Sequence, residues 1–286
     1  MKTIPFNELT EELARAGCFV TDMPNADYHA YPGISKSGLD VVNRSPAHYF
    51  YGAKREATRA MEIGTAIHTA LLEPERFREE YVLLKDVKDR RASAYKEAVK
   101  VHSSELVLVG HEADKVAGMQ ESVYAQPEAS GALSGEGWRE LSAFVEDPET
   151  GVLLRCRYDF LSASGTATDV KKTQDARAHE FSKSVFNYRY HVQDAMYSHI
   201  FKLITGDDLH CFQFLAVEEE PPHAAMVYDL DPESREIGFS EYRRDLLAYA
   251  EAESSGEWSA YPDPRQTISL PYWAISQYED TLEVKL

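Results

Sequence analysis

The chain is poor in cysteine: Cys18, Cys156 and Cys211 are its only three in 286 residues, and they lie far apart. No two stand in C-x-x-C spacing, so a structural zinc site of four Cys/His ligands has no frame. Four thiolates for an iron–sulfur cluster are not available within one chain either. Buried free thiols are the expectation. Long apolar runs are also missing; none approaches the roughly 20 residues of a membrane span. The opening MKTIPFNELTEELARAG lacks the basic-then-apolar order of a secretory signal, so a cytoplasmic protein with no membrane partner is expected. Basic residues are scarce: 30 against 48 acidic ones, a formal charge of −18. Broad, non-specific phosphate binding needs Lys/Arg neutralisation and is disfavoured. A positive charge confined to one channel is not. The segment 36–59 is locally basic through Lys36, Arg44, Lys54, Arg55 and Arg59, against Asp40 and Glu56.

What is present suffices for a core. The chain is 43% hydrophobic and 11% aromatic, above what a disordered chain carries. FNELTEELARAG predicts a short helix ending at Gly17, and DMPNADYHAYPG a turn-rich link. ISKSGLDVVNRS predicts a helix capped by Ser35, and SPAHYFYGAKR a second with Pro46 at its first position. MEIGTAIHTALLEPERF carries an apolar stripe at Ile63, Ile67, Ala70 and Leu71. Residues 86–130 read as helical and charged. RELSAFVED and VLLRCRYDFL read as a hairpin about DPETG, with TATDVKKT as the next strand. Two helices follow, ARAHEFSKSVFN and YRYHVQDAMYSHIFKLIT. Then come two strands, HCFQFLAVE and HAAMVYDL, and a long helix capped by Asp231. The order predicts an α/β domain with a mixed sheet and an N-terminal helical part packed on it. The expected divisions are 1–60 for that part, 61–250 for the core and 251–286 for an irregular tail.

Four stretches carry candidate chemistry. In RYDFLSASGTATDVKKT, Asp169 and Lys171 share one strand face, and Asp159 stands on the preceding strand. Two carboxylates brought close repel unless a cation lies between them, and hard divalent cations prefer oxygen ligands. Lys171 alongside could offset charge developing on phosphorus. Alone, D-x-K is better read as a solvated strand edge with a weak ion pair. In GTAIHTALLEPE, Gly64 and His68 share a helix face. Gly64 would admit a close backbone, and His68 is either a third ligand or a satisfied core histidine. Gln193 and Tyr197, four apart on a helix, either orient the lysine or phosphate or form an ordinary surface pair. Ser35, Lys36 and Ser37 open a helix that carries Arg44 further on, which suits an anion site or a simple cap.

In this order, G-x-x-x-H, D, D-x-K and Q-x-x-x-Y resemble the PD-(D/E)XK nuclease superfamily. The wording of YHAYPGISKSGLDVVNRSPAHYFY and IGTAIHTALLEPERFREEYV is similar to the exonuclease VIII (RecE-type) nucleases of phages and prophages. More distantly, the chain resembles RecB-type nuclease domains and lambda exonuclease. The resemblance implies a restriction-endonuclease-like mixed sheet flanked by helices. It also implies Mg²⁺, or Mn²⁺, held by His68, Asp159, Asp169 and the Val170 carbonyl, with Lys171 as the catalytic lysine and Gln193 and Tyr197 positioning it or DNA. Ser35, Ser37 and Arg44 stand where relatives grip DNA, and Glu140 is a further candidate near the site. Tyr158 occupies the place of the eponymous proline, and the four-cysteine cluster of some relatives is absent, so no iron–sulfur cluster is implied. The implied activity is 5′→3′ exonuclease digestion of linear double-stranded DNA, leaving 3′ tails for a recombinational annealing protein. A homo-oligomeric ring of three or four copies is implied with it, and its bore would reconcile −18 with a polyanion. A restriction- or repair-type endonuclease, a small phosphate-ester hydrolase and a non-catalytic DNA-binding protein of the same fold are the alternatives.

Overall fold

The computed structural model describes residues 1–53, 57–263 and 265–278; Lys54, Arg55 and Glu56 of the basic segment, and 279–286 of the expected tail, lie outside the described residues. At the N-terminus, β1 (Thr3–Pro5) and β2 (Cys18–Thr21) pair in parallel around α1 (Glu11–Ala16). Thr10 caps α1 by accepting the Leu13 N–H at 3.2 Å, and Gly17, at φ +99°, closes it. The N-terminal part is therefore not purely helical, as expected, but adds two strands to the sheet. Strands of three and four residues carry too little alternation to register as strands. After α2 (Asn25–Ala30), α3 (Lys36–Arg44) begins at Ser35, whose hydroxyl accepts the Gly38 N–H at 3.3 Å. Ser45 caps α4 (Pro46–Tyr51) in the same way.

The stripe of α5 (Arg59–Leu72) is buried at Ile63, Ile67, Ala70 and Leu71, as its spacing requires. α6 (Pro74–Glu80) follows. Residues 86–130 are not helical throughout: β3 (Val82–Leu84) pairs in parallel with β4 (Val107–Val109) around α7 (Ser93–Ala98). α8 (Gly110–Ala125) and α9 (Pro127–Ala132) complete this region. Arg59 joins it to α5 by a bidentate pair with the buried Glu112, at 2.7 and 2.5 Å.

The central strands are β5 (Gly137–Glu146), β6 (Leu153–Ser162), β7 (Thr166–Thr173), β8 (Cys211–Glu218) and β9 (Ala225–Asp229). Between and after them run α10 (Ala178–Asn187), α11 (Tyr190–Thr205), α12 (Pro232–Ser255) and the short α13 (Tyr272–Ile275). The seven-stranded order is β1-β2-β5-β6-β7-β8-β9, with β1/β2 and β7/β8 parallel and the other neighbours antiparallel. One core joins Leu141, Ala143, Cys156 and Tyr158 to Val192, Met196 and Ile200 of α11 and to Tyr242 and Leu246 of α12. The other joins Phe160, Val170, Leu215 and Val217 to the α5 stripe and to Val116, Met119 and Val123 of α8. Helices thus cover a mixed sheet in the manner of restriction-endonuclease-like α/β folds. Among the described residues no helix is long and apolar enough to cross a membrane.

The crossing of α11 and α12 depends on Gly238, where a Cβ would lie 2.2 Å from the His191 carbonyl oxygen. Backbone cannot yield as a flexible side chain does. Gly238→Ala should therefore cost about 2 kcal/mol or more, despite the better helix propensity of alanine, read as a lower denaturant midpoint. An unchanged midpoint would show that the two helices slide freely there.

Candidate active site

The register of β5, β6 and β7 sets a row of carboxylates. Arg139 pairs with Phe160, and Phe160 with Thr168; one step along, Glu140, Asp159 and Asp169 stand side by side on three adjacent strands. The ladder breaks at this step. Glu140 has φ +49°, a left-handed conformation unusual for a non-glycine residue, and it is missing from the β5/β6 pairing. Between β6 and β7 pairing stops after Phe160, and the Asp159 carboxylate accepts the Val170 N–H instead, at 2.7 Å. Face alternation is lost here as well: Tyr158 packs in the α11/α12 core and Phe160 in the α5/α8 core. Simple period-two reading does not foresee this.

His68 reaches the row from α5, with Nδ1 3.4 Å from Asp159 Oδ2. His68, Glu140 and Asp159 each offer a ligand atom within 4.8 Å of the others. Asp169 faces a second group. Its Oδ1 accepts Gln193 Nε2 at 2.5 Å, and Gln193 Oε1 accepts Lys171 Nζ at 2.9 Å, so one amide orients both charges. Lys171 Nζ stands 2.5 Å from Asp169 Oδ2, a tight buried ion pair. The Lys171 ammonium also lies 4.5 Å from the centre of the Tyr190 ring.

Burial pushes the Asp159 carboxyl up to about 7, with Asp169 and Glu140 adding to the shift and His68 and Lys171 opposing it. Burial raises Glu140 too, against His68 and against Arg157, which lies 3.7 Å away. Burial is the largest influence on Lys171 and favours its neutral form, but Asp169, Tyr190 and Asp159 together outweigh it and hold the ammonium above the ordinary lysine value. Three carboxylates face one ammonium and an imidazole. The hard oxygen donors of Glu140 and Asp159 and the single imidazole of His68, with ligand atoms within 4.8 Å of one another, fit a small divalent cation such as Mg²⁺ or Mn²⁺.

The other expected residues fall at different distances from this centre. Val170 has its side chain in the core and meets the site through its backbone. Tyr197, one turn beyond Gln193, packs against Tyr158 and Phe212 with ring centres 5.4 and 5.7 Å away, and its carbonyl accepts the Tyr158 hydroxyl at 2.8 Å. It forms part of the wall and makes no hydrogen bond to Lys171 among the described residues. Ser35 and Ser37 lie 3.0 Å apart at the start of α3. Between them, Lys36 pairs with Asp40 at 2.7 Å, donates to the Tyr188 carbonyl at 2.5 Å and lies 5.9 Å from the Tyr190 ring centre. Arg44 is at the far end of α3, in a cleft with Pro46, Arg244 and Ala248, and is not brought to the serines. Among the described residues nothing lies within 4 Å of a Cβ placed on Gly64, so no backbone approaches it there, contrary to expectation. Tyr190 is the residue sequence reasoning missed. Its position three before Gln193, on the same helix face, is the signal that marks it.

Residues 35–268 match the family described as a PDDEXK-like domain of unknown function (DUF3799). Among solved structures, a "Putative exonuclease" from Eubacterium rectale is similar in fold at TM-score 0.59 and 10% identity, over 91% of this chain and 99% of that one. Another, SSO0001, aligns over 73% of this chain and 84% of its own at TM-score 0.29 and 10% identity, too low to bear on the fold. No curated protein matches significantly. The family match covers most of the chain and the whole of the acidic row, and the chain therefore belongs to the PDDEXK-like domain family DUF3799, within the PD-(D/E)XK nuclease superfamily.

Proposed function

We propose that the protein is a metal-dependent exodeoxyribonuclease that digests linear double-stranded DNA, 5′→3′, and leaves 3′ single-stranded tails. The observation that carries this reading is the carboxylate row with Lys171 beside it and the convergence of His68, Glu140 and Asp159 ligand atoms within 4.8 Å of one another. Asp159, Asp169, His68 and Glu140, with the Val170 carbonyl, would hold Mg²⁺ or Mn²⁺. When bound, the cation polarises the phosphodiester and stabilises its added negative charge. Lys171 presents its ammonium to a non-bridging phosphate oxygen, and Gln193 fixes the direction of that ammonium. The open space beside Gly64 leaves room for the strand along the His68 face. Ser35 and Ser37 are the nearest expected DNA contacts on α3, and Arg44 would touch the duplex further out. Exonuclease polarity, a closed ring of three or four copies, an annealing partner and a cytoplasmic setting rest on the resemblance to exonuclease VIII-type enzymes. With Mg²⁺, linear duplex should be degraded from its ends and closed circular duplex left intact. Cutting of closed circles would favour the endonuclease reading, and no cutting of either would overturn the assignment.

Metal uptake should depend on pH. With the Asp159 carboxyl near 7 and Glu140 raised, both by burial, the cation displaces protons. Calorimetry with Mn²⁺ in buffers of different ionisation enthalpy should show proton release at pH 6.5 that diminishes by pH 8.5, with affinity falling as pH drops. Affinity that is flat from pH 6 to 8.5 would place the cation elsewhere.

A further inference from the structure

A cavity of about 440 Å³ opens beside the candidate active site, lined in part by Tyr188, Tyr190, Lys172, Asn187 and Gln174. Its size falls in the usual range of ligand pockets, roughly 300–1,000 Å³. We propose that it receives an unstacked nucleobase of the strand being cut, that of the nucleotide next to the scissile phosphate. This rests on the nuclease reading and adds to it.

The lining favours a base over a phosphate. Its lysines are already paired, Lys172 with Glu219 at 2.8 Å and Lys183 with Glu180 at 2.8 Å, so little positive charge is left for an anion. The rest of the lining includes the Asp175 carboxylate, paired with Arg177 at 2.5 Å, aromatic faces, and the side-chain amides of Asn187 and Gln174, which can both donate to and accept from a base edge. Tyr188 and Tyr190 stack with ring centres 5.7 Å apart and planes 27° apart, and Tyr188 is 62% exposed. Every base has a face that can stack on such a ring. Tyr190 belongs to both sites, since its ring centre is 4.5 Å from Lys171 Nζ. Tyr190 thus links Lys171 to the cavity lining, which is where we place the nucleoside of a phosphate held by Lys171.

The backbone that carries the platform is held in place. Arg189, between the two tyrosines, has φ +54° and is clamped by Asp40 at 3.0 Å, by Glu241 at 3.1 Å and by the buried Asp245. Lys36 fixes the Tyr188 carbonyl from α3. Little ordering is left to occur when a base stacks.

The test uses linear duplexes carrying one abasic nucleotide, moved through the first four positions of each strand. For the wild-type protein, kcat/KM should fall about tenfold when the abasic position meets the cavity, and much less elsewhere. Tyr188→Leu should lose about as much on intact DNA, keep its thermal midpoint and no longer distinguish the abasic duplex; Tyr188→Trp should retain the discrimination. With Ca²⁺ replacing Mg²⁺, 2-aminopurine at the same position should be quenched by the wild-type protein and not by Tyr188→Leu. A wild-type protein that cuts intact and abasic duplexes alike, or a Tyr188→Leu protein that still tells them apart, overturns this inference alone. Failure to cut any duplex overturns the nuclease reading and this inference with it.

Discussion

Lys171→Met should lower turnover of linear duplex DNA by about 10²–10³-fold, the usual cost of removing one preorganised donor aimed at developing charge. Metal affinity should not fall with it. The ammonium lies 2.5 Å from Asp169 Oδ2, and its removal leaves the carboxylate row more negative, so Mn²⁺ should bind as tightly or more tightly. The metal-free variant should be less stable, because Asp169 is only 5% exposed and would lose its ion-pair partner. Bound Mn²⁺ should restore much of that stability, as a ligand of the native state does. Lys171 would be a structural counter-ion only if the variant cut DNA at the wild-type rate with Mn²⁺ bound.

Asp159→Asn should have two effects of opposite sign. Mn²⁺ affinity should fall by more than the roughly 10–100-fold that loss of an outer partner costs, if Asp159 is the direct ligand proposed above. The metal-free protein should become more stable at neutral and higher pH. The direction follows from the proton balance. Asp159 titrates at about 7 in the folded chain, whereas an unfolded aspartate titrates near ~3.9. Above ~3.9 the unfolded chain has already released its proton while the folded chain retains it, so stability declines as pH rises through about 7. Asparagine has no such penalty, and its Oδ1 can still accept the Val170 N–H. A gain of about 2–4 kcal/mol at pH 8, vanishing towards pH 4, is expected from thermal unfolding at several pH values. Destabilisation at every pH would mean that the carboxylate holds the fold together.

The core of this architecture was legible because its strands and helices are long. β5 through β9 alternate or run apolar over five to ten residues, and α11 and α12 carry clear stops at Gly206 and Gly256. β1, β2, β3 and β4 are three or four residues each, and their pairing partners are distant in sequence, so local pattern could not find them. The D-x9-D-x-K spacing placed Asp159, Asp169 and Lys171 on neighbouring strands. The part of Glu140 in the row depends on a register between β5 and β6 and on a left-handed backbone, neither of which residue types reveal. Arg44 was grouped with Ser35 and Ser37 because it shares their helix. A helix of nine residues, however, separates its ends by about 13 Å, which is enough to put Arg44 in a different cleft.

The most direct test of the account is anomalous diffraction from crystals soaked in Mn²⁺. A peak among Asp159, Asp169, His68 and Glu140 is expected, with Asp169 Oδ2 turned from Lys171 towards the ion. No peak at the row at any concentration, with His68 packed away from the carboxylates, would contradict it.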